Sequence, residues 1–213
     1  MMPLKTFNNL SPAKRERITR IAVEEFSEKG YSRASINTMV RRLGIAKGSI
    51  YQYFGDKKGL FFFAFNAAME MVKAWLRTVR DQTAEEDLFT RLEATLLAGV
   101  LFLQKHPVVY RFYIRIMFED EIPFRNEILL SLRGYSLKYF RSLLEHAQER
   151  GELRADLDLD KAGFVMDAVM DRFLQARTVQ HLDAGLGIYN CTTAEARQWV
   201  RQLTDIMCAG IGG

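Results

Sequence analysis

Apolar residues along this chain recur at spacings of three and four almost throughout, and no stretch alternates cleanly at a period of two. A helix brings positions three and four apart onto one face, whereas a half-buried strand needs strict alternation. The pattern therefore predicts an all-α protein. With 213 residues, 48% of them hydrophobic, and only four prolines, the chain is long enough to bury a real core as one or two domains.

Glycines, prolines and small polar residues divide this pattern into about nine helices. Ser11 and Pro12 open the first, since Ser can cap free amides and Pro at a first helical position loses a hydrogen bond that is absent anyway. Ile18, Ile21, Ala22 and Phe26 share one face, and Gly30 ends the helix. Ser35 caps a short second helix through Ile36, Met39, Val40 and Leu43, which Gly44 terminates. After a turn of a few residues comes a third, from Lys47 to Tyr53, and Asp56 then caps a long helix over residues 57–80. Further helices are expected over residues 84–105, 107–118, 123–150 and 159–180. A flexible loop is expected over residues 181–191, and a last helix begins at the capping box formed by Thr192 and Glu195.

Charge is divided unevenly between the two ends. Residues 1–60 carry twelve Lys and Arg against five Asp and Glu, while the remainder holds 18 against 21. A basic small domain on a mildly acidic body suits a nucleic-acid partner, because neutralising phosphates supplies most of the non-specific affinity. The expected division is a domain of residues 1–56 and a second of residues 57–213.

Within the basic end, two short helices joined by a tight glycine turn form a helix-turn-helix pattern, the arrangement that projects its second helix into a major groove. Ile50 and Phe54 lie four apart and can bury together, leaving Lys47, Gly48, Ser49, Tyr51, Gln52 and Tyr53 on other faces. Gly48 permits close backbone approach, the hydroxyls suit phosphates or base edges, and Gln52 can pair with adenine. Lys57 and Lys58 stand at a helix start, where free amides already attract anions. Thr38, in the preceding helix, joins the candidate DNA-contacting set.

The run Gly44-Ile45-Ala46-Lys47-Gly48-Ser49-Ile50-Tyr51-Gln52-Tyr53-Phe54-Gly55-Asp56-Lys57-Lys58-Gly59-Leu60 resembles the recognition helix and following helix start of the tetracycline-repressor (TetR/AcrR) family. Upstream, residues 22–30 with Phe26, then Tyr31, Ser35 and Ile36, resemble the family's first two helices. The likeness covers roughly residues 11–60. It implies a three-helix DNA-binding domain, a divergent helical body that pairs subunits through its last two helices, and an inducer. It also implies phosphate contacts from Ser35, Tyr51, Tyr53 and Lys57, with Lys47, Gly48, Ser49 and Gln52 facing the groove. The chain departs from the family pattern at Ala46, where Ser or Thr commonly caps the recognition helix, and at Lys58-Gly59, where Glu often follows the Lys.

The body is dense in aromatic and Met side chains, most of them expected in the core or a subunit interface. By analogy with the family, Phe65, Met69, Phe102, Tyr110, Tyr113 and Tyr139 are the candidates for a pocket that takes a bulky apolar ligand. Arg111, Arg115, Glu119 and Asp171 lie among apolar neighbours, and Arg115 with Glu119 has the spacing of an ordinary helix pair. Ala162, Val165, Met166, Val169 and Phe173 form one stripe; Ala196, Trp199, Val200, Leu203 and Ile206 form another. These stripes can build a four-helix dimer interface or bury within one subunit.

Cys191 and Cys208 make neither a disulfide framework nor a metal site, and His106, His146 and His181 are scattered. No nucleophile sits with a base, and no glycine loop cradles a phosphate, so neither an enzyme nor a bound cofactor or metal is expected. The N-terminal Met1-Met2-Pro3-Leu4-Lys5 lacks a secretory apolar core, and no uninterrupted apolar run reaches the roughly 18 residues of a membrane span. A cytoplasmic homodimer is expected that binds palindromic double-stranded DNA and is released from it by a small molecule. An activator or ligand-independent DNA binder of the same fold, or an all-α protein with a non-DNA role, is the alternative.

Overall fold

The computed structural model describes residues 5–119 and 121–211. All ten regular elements among them are α-helices: α1 (Lys5–Asn8), α2 (Pro12–Arg33), α3 (Ile36–Leu43), α4 (Lys47–Phe54), α5 (Lys57–Gln82), α6 (Leu88–Lys105), α7 (Pro107–Phe118), α8 (Arg125–Glu149), α9 (Leu159–Ala176) and α10 (Thr193–Ile211). The reading of the N-terminus as lacking a secretory core rests largely on residues 1–4, which lie outside the described residues.

Two compact units emerge from the packing. One comprises the described residues up to Ala74 with those of His106–Arg125; the other comprises Trp75–Lys105 and the described residues from Asn126 onward. In the first unit α2 lies along α7, α3 packs on α2 and α4, and α1 packs on α4. Its centre is aromatic: Phe61 stands edge-on to Phe26 at 4.8 Å, to Phe112 at 5.2 Å and to Phe124 at 5.4 Å. Offset and edge-on ring pairs of this kind add to the burial energy of the rings themselves. Gly30 leaves helical geometry at φ 68° and ψ −178°, a conformation that side-chain-bearing residues avoid, so α2 breaks there before a last turn to Arg33. Arg115 secures α7 to this break by donating to the carbonyls of Ser27 at 3.2 Å and Glu28 at 2.9 Å, while pairing with Glu119. Its role is therefore to hold helices together.

Aliphatic side chains dominate the second unit. Leu88, Leu92, Leu96 and Val100 of α6, Leu143 and Leu144 of α8, Met166, Met170 and Phe173 of α9, and Ala196 and Val200 of α10 form one buried cluster. Helix α6 begins at Leu88 and not near residue 84, because the Asp87 carboxylate caps it, accepting from Phe89 N at 2.9 Å and Thr90 N at 3.0 Å. Those bonds, led by Thr90, hold the Asp87 carboxyl below its ordinary range.

Residues 181–191 form a loop without a helix, as expected, and hydrogen bonds to one side chain organise it. Asp183, buried, accepts from the backbone N–H groups of Gly185 at 3.2 Å, Ile188 at 3.0 Å and Tyr189 at 3.2 Å, which seats Ile188 in the core. At the far side of this segment the capping box forms: Thr192 N donates to Glu195 at 2.7 Å, and Glu195 N donates to the Thr192 hydroxyl at 3.3 Å.

Helix α5 is long and apolar enough to cross a membrane by length and composition alone, with a mean hydropathy of 1.2 over its best window. A core helix passes the same test, and Leu60, Phe61, Ala64 and Phe65 are buried inside the first unit.

Candidate nucleic-acid interface

The turn between α3 and α4 is set by Gly44, left-handed at φ 68° and ψ 37°, whose N–H bonds Arg41 O at 3.3 Å while Ile45 N bonds Val40 O at 3.2 Å. Glycine reaches that conformation without a steric penalty and so closes the helix cheaply. Ser35 caps the other end of α3: its hydroxyl accepts from Thr38 N at 3.3 Å, and its own N–H donates to the buried Glu25 carboxylate at 3.0 Å. Ile36, Met39 and Leu43 are buried, so the orientation of α3 is fixed by its apolar face.

Helix α4 is held from below. Ile50 and Phe54 are buried as their spacing requires, and Lys47, Gly48, Tyr51 and Gln52 are exposed, Tyr51 by 42%. Ser49, Ser35, Thr38 and Lys57 are half-buried. Tyr53 departs from the expectation of an exposed side chain: it is only 8% exposed, with its ring 6.0 Å from Phe7 and 6.1 Å from Phe54. The cause is α1, which lays Phe7 against Phe54 at 5.1 Å and Phe63 at 4.8 Å and is tied to α4 by a 2.6 Å bond from the Thr6 hydroxyl to Gln52 O. No pattern in the sequence marks Phe7, since a four-residue helix leaves no periodic signal.

Ala46 stands at the N-cap of α4 without a side-chain hydrogen bond, so the amides of its first turn lack the acceptor that Ser or Thr would provide. At the start of α5, Asp56 accepts from Gly59 N at 2.7 Å, which places a carboxylate on a helix start that had suggested an anion site. Lys57 donates to Ser32 O at 3.0 Å and lies 5.0 Å over the Tyr31 ring. Burial pulls its pKa below the ordinary lysine value, with Glu25 opposing. Lys58, exposed, sits 5.6 Å over Phe62 and 5.2 Å over Phe124. Both lysines are thus positioned by the core before any partner arrives.

The candidate pocket residues fall in both units. Phe65, Met69, Tyr110 and Tyr113 belong to the first, where the rings of Tyr110 and Tyr113 lie 5.4 Å apart. Phe102 and Tyr139 belong to the second, Phe102 edge-on to Trp75 at 5.9 Å and the Tyr139 hydroxyl 3.0 Å from that of Thr95. Asp171 pairs with Arg133 and accepts from Gln175 at 2.9 Å, which accounts for its charge among apolar neighbours. Of the two stripes open to an interface or to burial within one subunit, Ala162, Met166, Phe173, Ala196 and Val200 are buried in the second unit's own core. Two members of the stripes stay open, Val165 (49% exposed) and Ile206 (69%), as does Phe164 (66%).

A buried apolar underside, a left-handed glycine turn and an exposed polar side define α3 and α4 as a helix-turn-helix. Residues 18–62 match the model of the bacterial regulatory proteins of the tetR family. A TetR family transcriptional regulator from Chloroflexus aurantiacus J-10-FL superposes with a TM-score of 0.71 at 32% identity, covering 100% of both chains. The chain is also 23% identical over 168 residues to a probable acrEF/envCD operon repressor of Escherichia coli K12, covering 76% of this chain and 74% of that one. A fatty acid metabolism regulator protein of Bacillus subtilis 168 is 26% identical over 154 residues, covering 70% and 76%. The chain belongs to the TetR family of transcriptional regulators.

Proposed function

We propose that this chain is a repressor that reads a palindromic operator as a homodimer, through residues 1–56, and leaves it when residues 57–213 take up a small, largely apolar ligand. The observation that carries the DNA reading is α4: Ile50 and Phe54 anchor it from beneath while Lys47, Gly48, Tyr51 and Gln52 stand open. A short helix anchored on one side and polar on the other is free to enter a groove, and its anchoring spares the backbone from being ordered anew on binding. Lys57, Ser35, Thr38, Ser49 and the edge of Tyr53 complete the contact set. Repression is supported by the likeness to the probable operon repressor of Escherichia coli.

Pairing through α9 and α10 is supported by Phe164, Val165 and Ile206, large apolar side chains exposed on those helices. Two-fold pairing doubles the base contacts of a small reader and sets its half-sites about 34–36 Å apart, one turn of duplex. Ligand release requires that the ligand bind the operator-free arrangement more tightly, since equal affinity for both arrangements shifts nothing. The setting is cytoplasmic, where the operator is.

Lys47→Ala and Tyr51→Ala should each weaken operator binding by about 1.5–3 kcal/mol, the range for hydrogen bonds to charged groups, with melting temperature unchanged. A mobility-shift titration checks this; unaltered affinity in both variants would remove α4 from the interface.

A further inference from the structure

The second unit contains a cleft of about 610 Å³. The end of α5 contributes Arg80 and Asp81, the turn after it Glu85, the first turn of α6 Arg91, the last turns of α8 Ser142 and His146, and the residue after α8 Arg150. Two of its three arginines already have acids: Arg80 pairs with Asp81 at 2.7 Å, and Arg150 with Glu152 at 2.8 Å. Arg91 differs. It is only 9% exposed, and its Nε, closed off from solvent, has no hydrogen-bond partner among the described residues. Tyr139, the nearby group whose titration senses Arg91, is held neutral by burial, which pushes its pKa up.

A guanidinium keeps its charge at any ordinary pH, and an N–H donor sealed from water without an acceptor is costly. We propose that the acceptor comes from outside: the cleft is a binding site for an organic anion bearing one carboxylate or phosphate head, received by Arg91. Both heads present oxygens in the geometry that a guanidinium fork matches. The cleft's volume lies within the range of small-molecule sites, so the head can bring an organic body with it. Glu85 and Asp81 at the margin disfavour a heavily charged anion and so favour a single head. Arg80 and Arg150, each fixed by its own acid, shape the opening without supplying a free charge.

This deepens the ligand-release reading by giving the ligand's head a chemistry, and its test measures binding without DNA, so either reading can fail alone. Calorimetry on the full chain would compare sodium hexanoate, hexyl phosphate and the uncharged hexanamide at constant ionic strength. At least one of the two anions should bind saturably and at least tenfold more tightly than the amide, and the one that does identifies the head. Arg91→Gln should lower anion affinity at least tenfold and leave the amide unchanged. Ser142→Trp, a bulky replacement at an exposed margin position, should block both and keeps the test decisive if the Arg91 variant does not fold. Lys47→Ala, in the DNA-binding domain, should change nothing. Equal binding of anion and amide, no saturable binding of either anion, or loss of binding in Lys47→Ala in place of the cleft variants would overturn the proposal.

Discussion

The DNA-binding end and the last two helices leave opposite kinds of surface uncovered. Helix α4 has eight residues, hides Ile50, Tyr53 and Phe54, and exposes Lys47, Gly48, Tyr51 and Gln52. Helices α9 and α10 bury most of their apolar stripes in their own unit and still expose Val165 and Ile206 of those stripes, together with Phe164. A polar side left open on a helix with a satisfied core suits a hydrated, charged partner such as duplex DNA. Apolar side chains left open on helices whose core is already satisfied suit a surface of the same kind, which a second copy provides. Core packing therefore accounts for the buried faces of both regions, and the uncovered faces separate their partners.

Breaking the apolar side of this contrast should have the largest effect. Phe164→Glu combined with Ile206→Glu should convert dimers to monomers in light scattering, at about 2 kcal/mol for each anchor lost, with helical content retained because neither residue belongs to the core. A double variant that stays dimeric would move the interface elsewhere. On the polar side, Ala46→Ser should supply the acceptor missing at the N-cap of α4 and raise stability in thermal unfolding by about 1 kcal/mol. A drop in stability would mean that α4 is not limited by its first turn.

The smallest effect concerns the acids that face Arg133. Burial, more than its neighbour Asp171, raises the pKa of Asp167, although Arg133 opposes the shift. A carboxyl whose folded pKa lies above its unfolded value is stabilising only while protonated, and that contribution is lost as pH rises through the folded pKa. Asp167→Asn should therefore gain on the parent protein at neutral pH, and the gain should shrink as pH falls into the carboxylate range. Melting temperatures of the pair between those limits check the sign, and a gain that grows on acidification would refute it.

Much of this architecture was legible in the sequence because its markers are local. Gly44, Pro107, Asp56 and the Thr192 capping box end or begin helices by chemistry confined to one turn, and the structure has each where it was expected. Markers that act across the chain were not legible. Tyr53 is covered by Phe7, 46 residues earlier, through a helix too short to show a period. Asp183 organises its own loop by bonds to amides two, five and six residues on, whereas the two glycines there had suggested looseness. Periodicity placed Ala162, Met166, Ala196 and Val200 on shared faces but carries no information on whether a face meets its own subunit or another. The Arg91 cleft assembles from three separate stretches of chain, and no spacing in the sequence marks it.

Selection of bound duplexes from a random pool tests the central claim most directly. The parent protein should converge on an inverted repeat with half-sites one helical turn apart, while the combined variant Lys47→Ala, Tyr51→Ala, Gln52→Ala, folded and dimeric, should enrich nothing. Convergence of both proteins on the same sequence, or of neither on any, would contradict the assignment of α4 as the element that reads DNA.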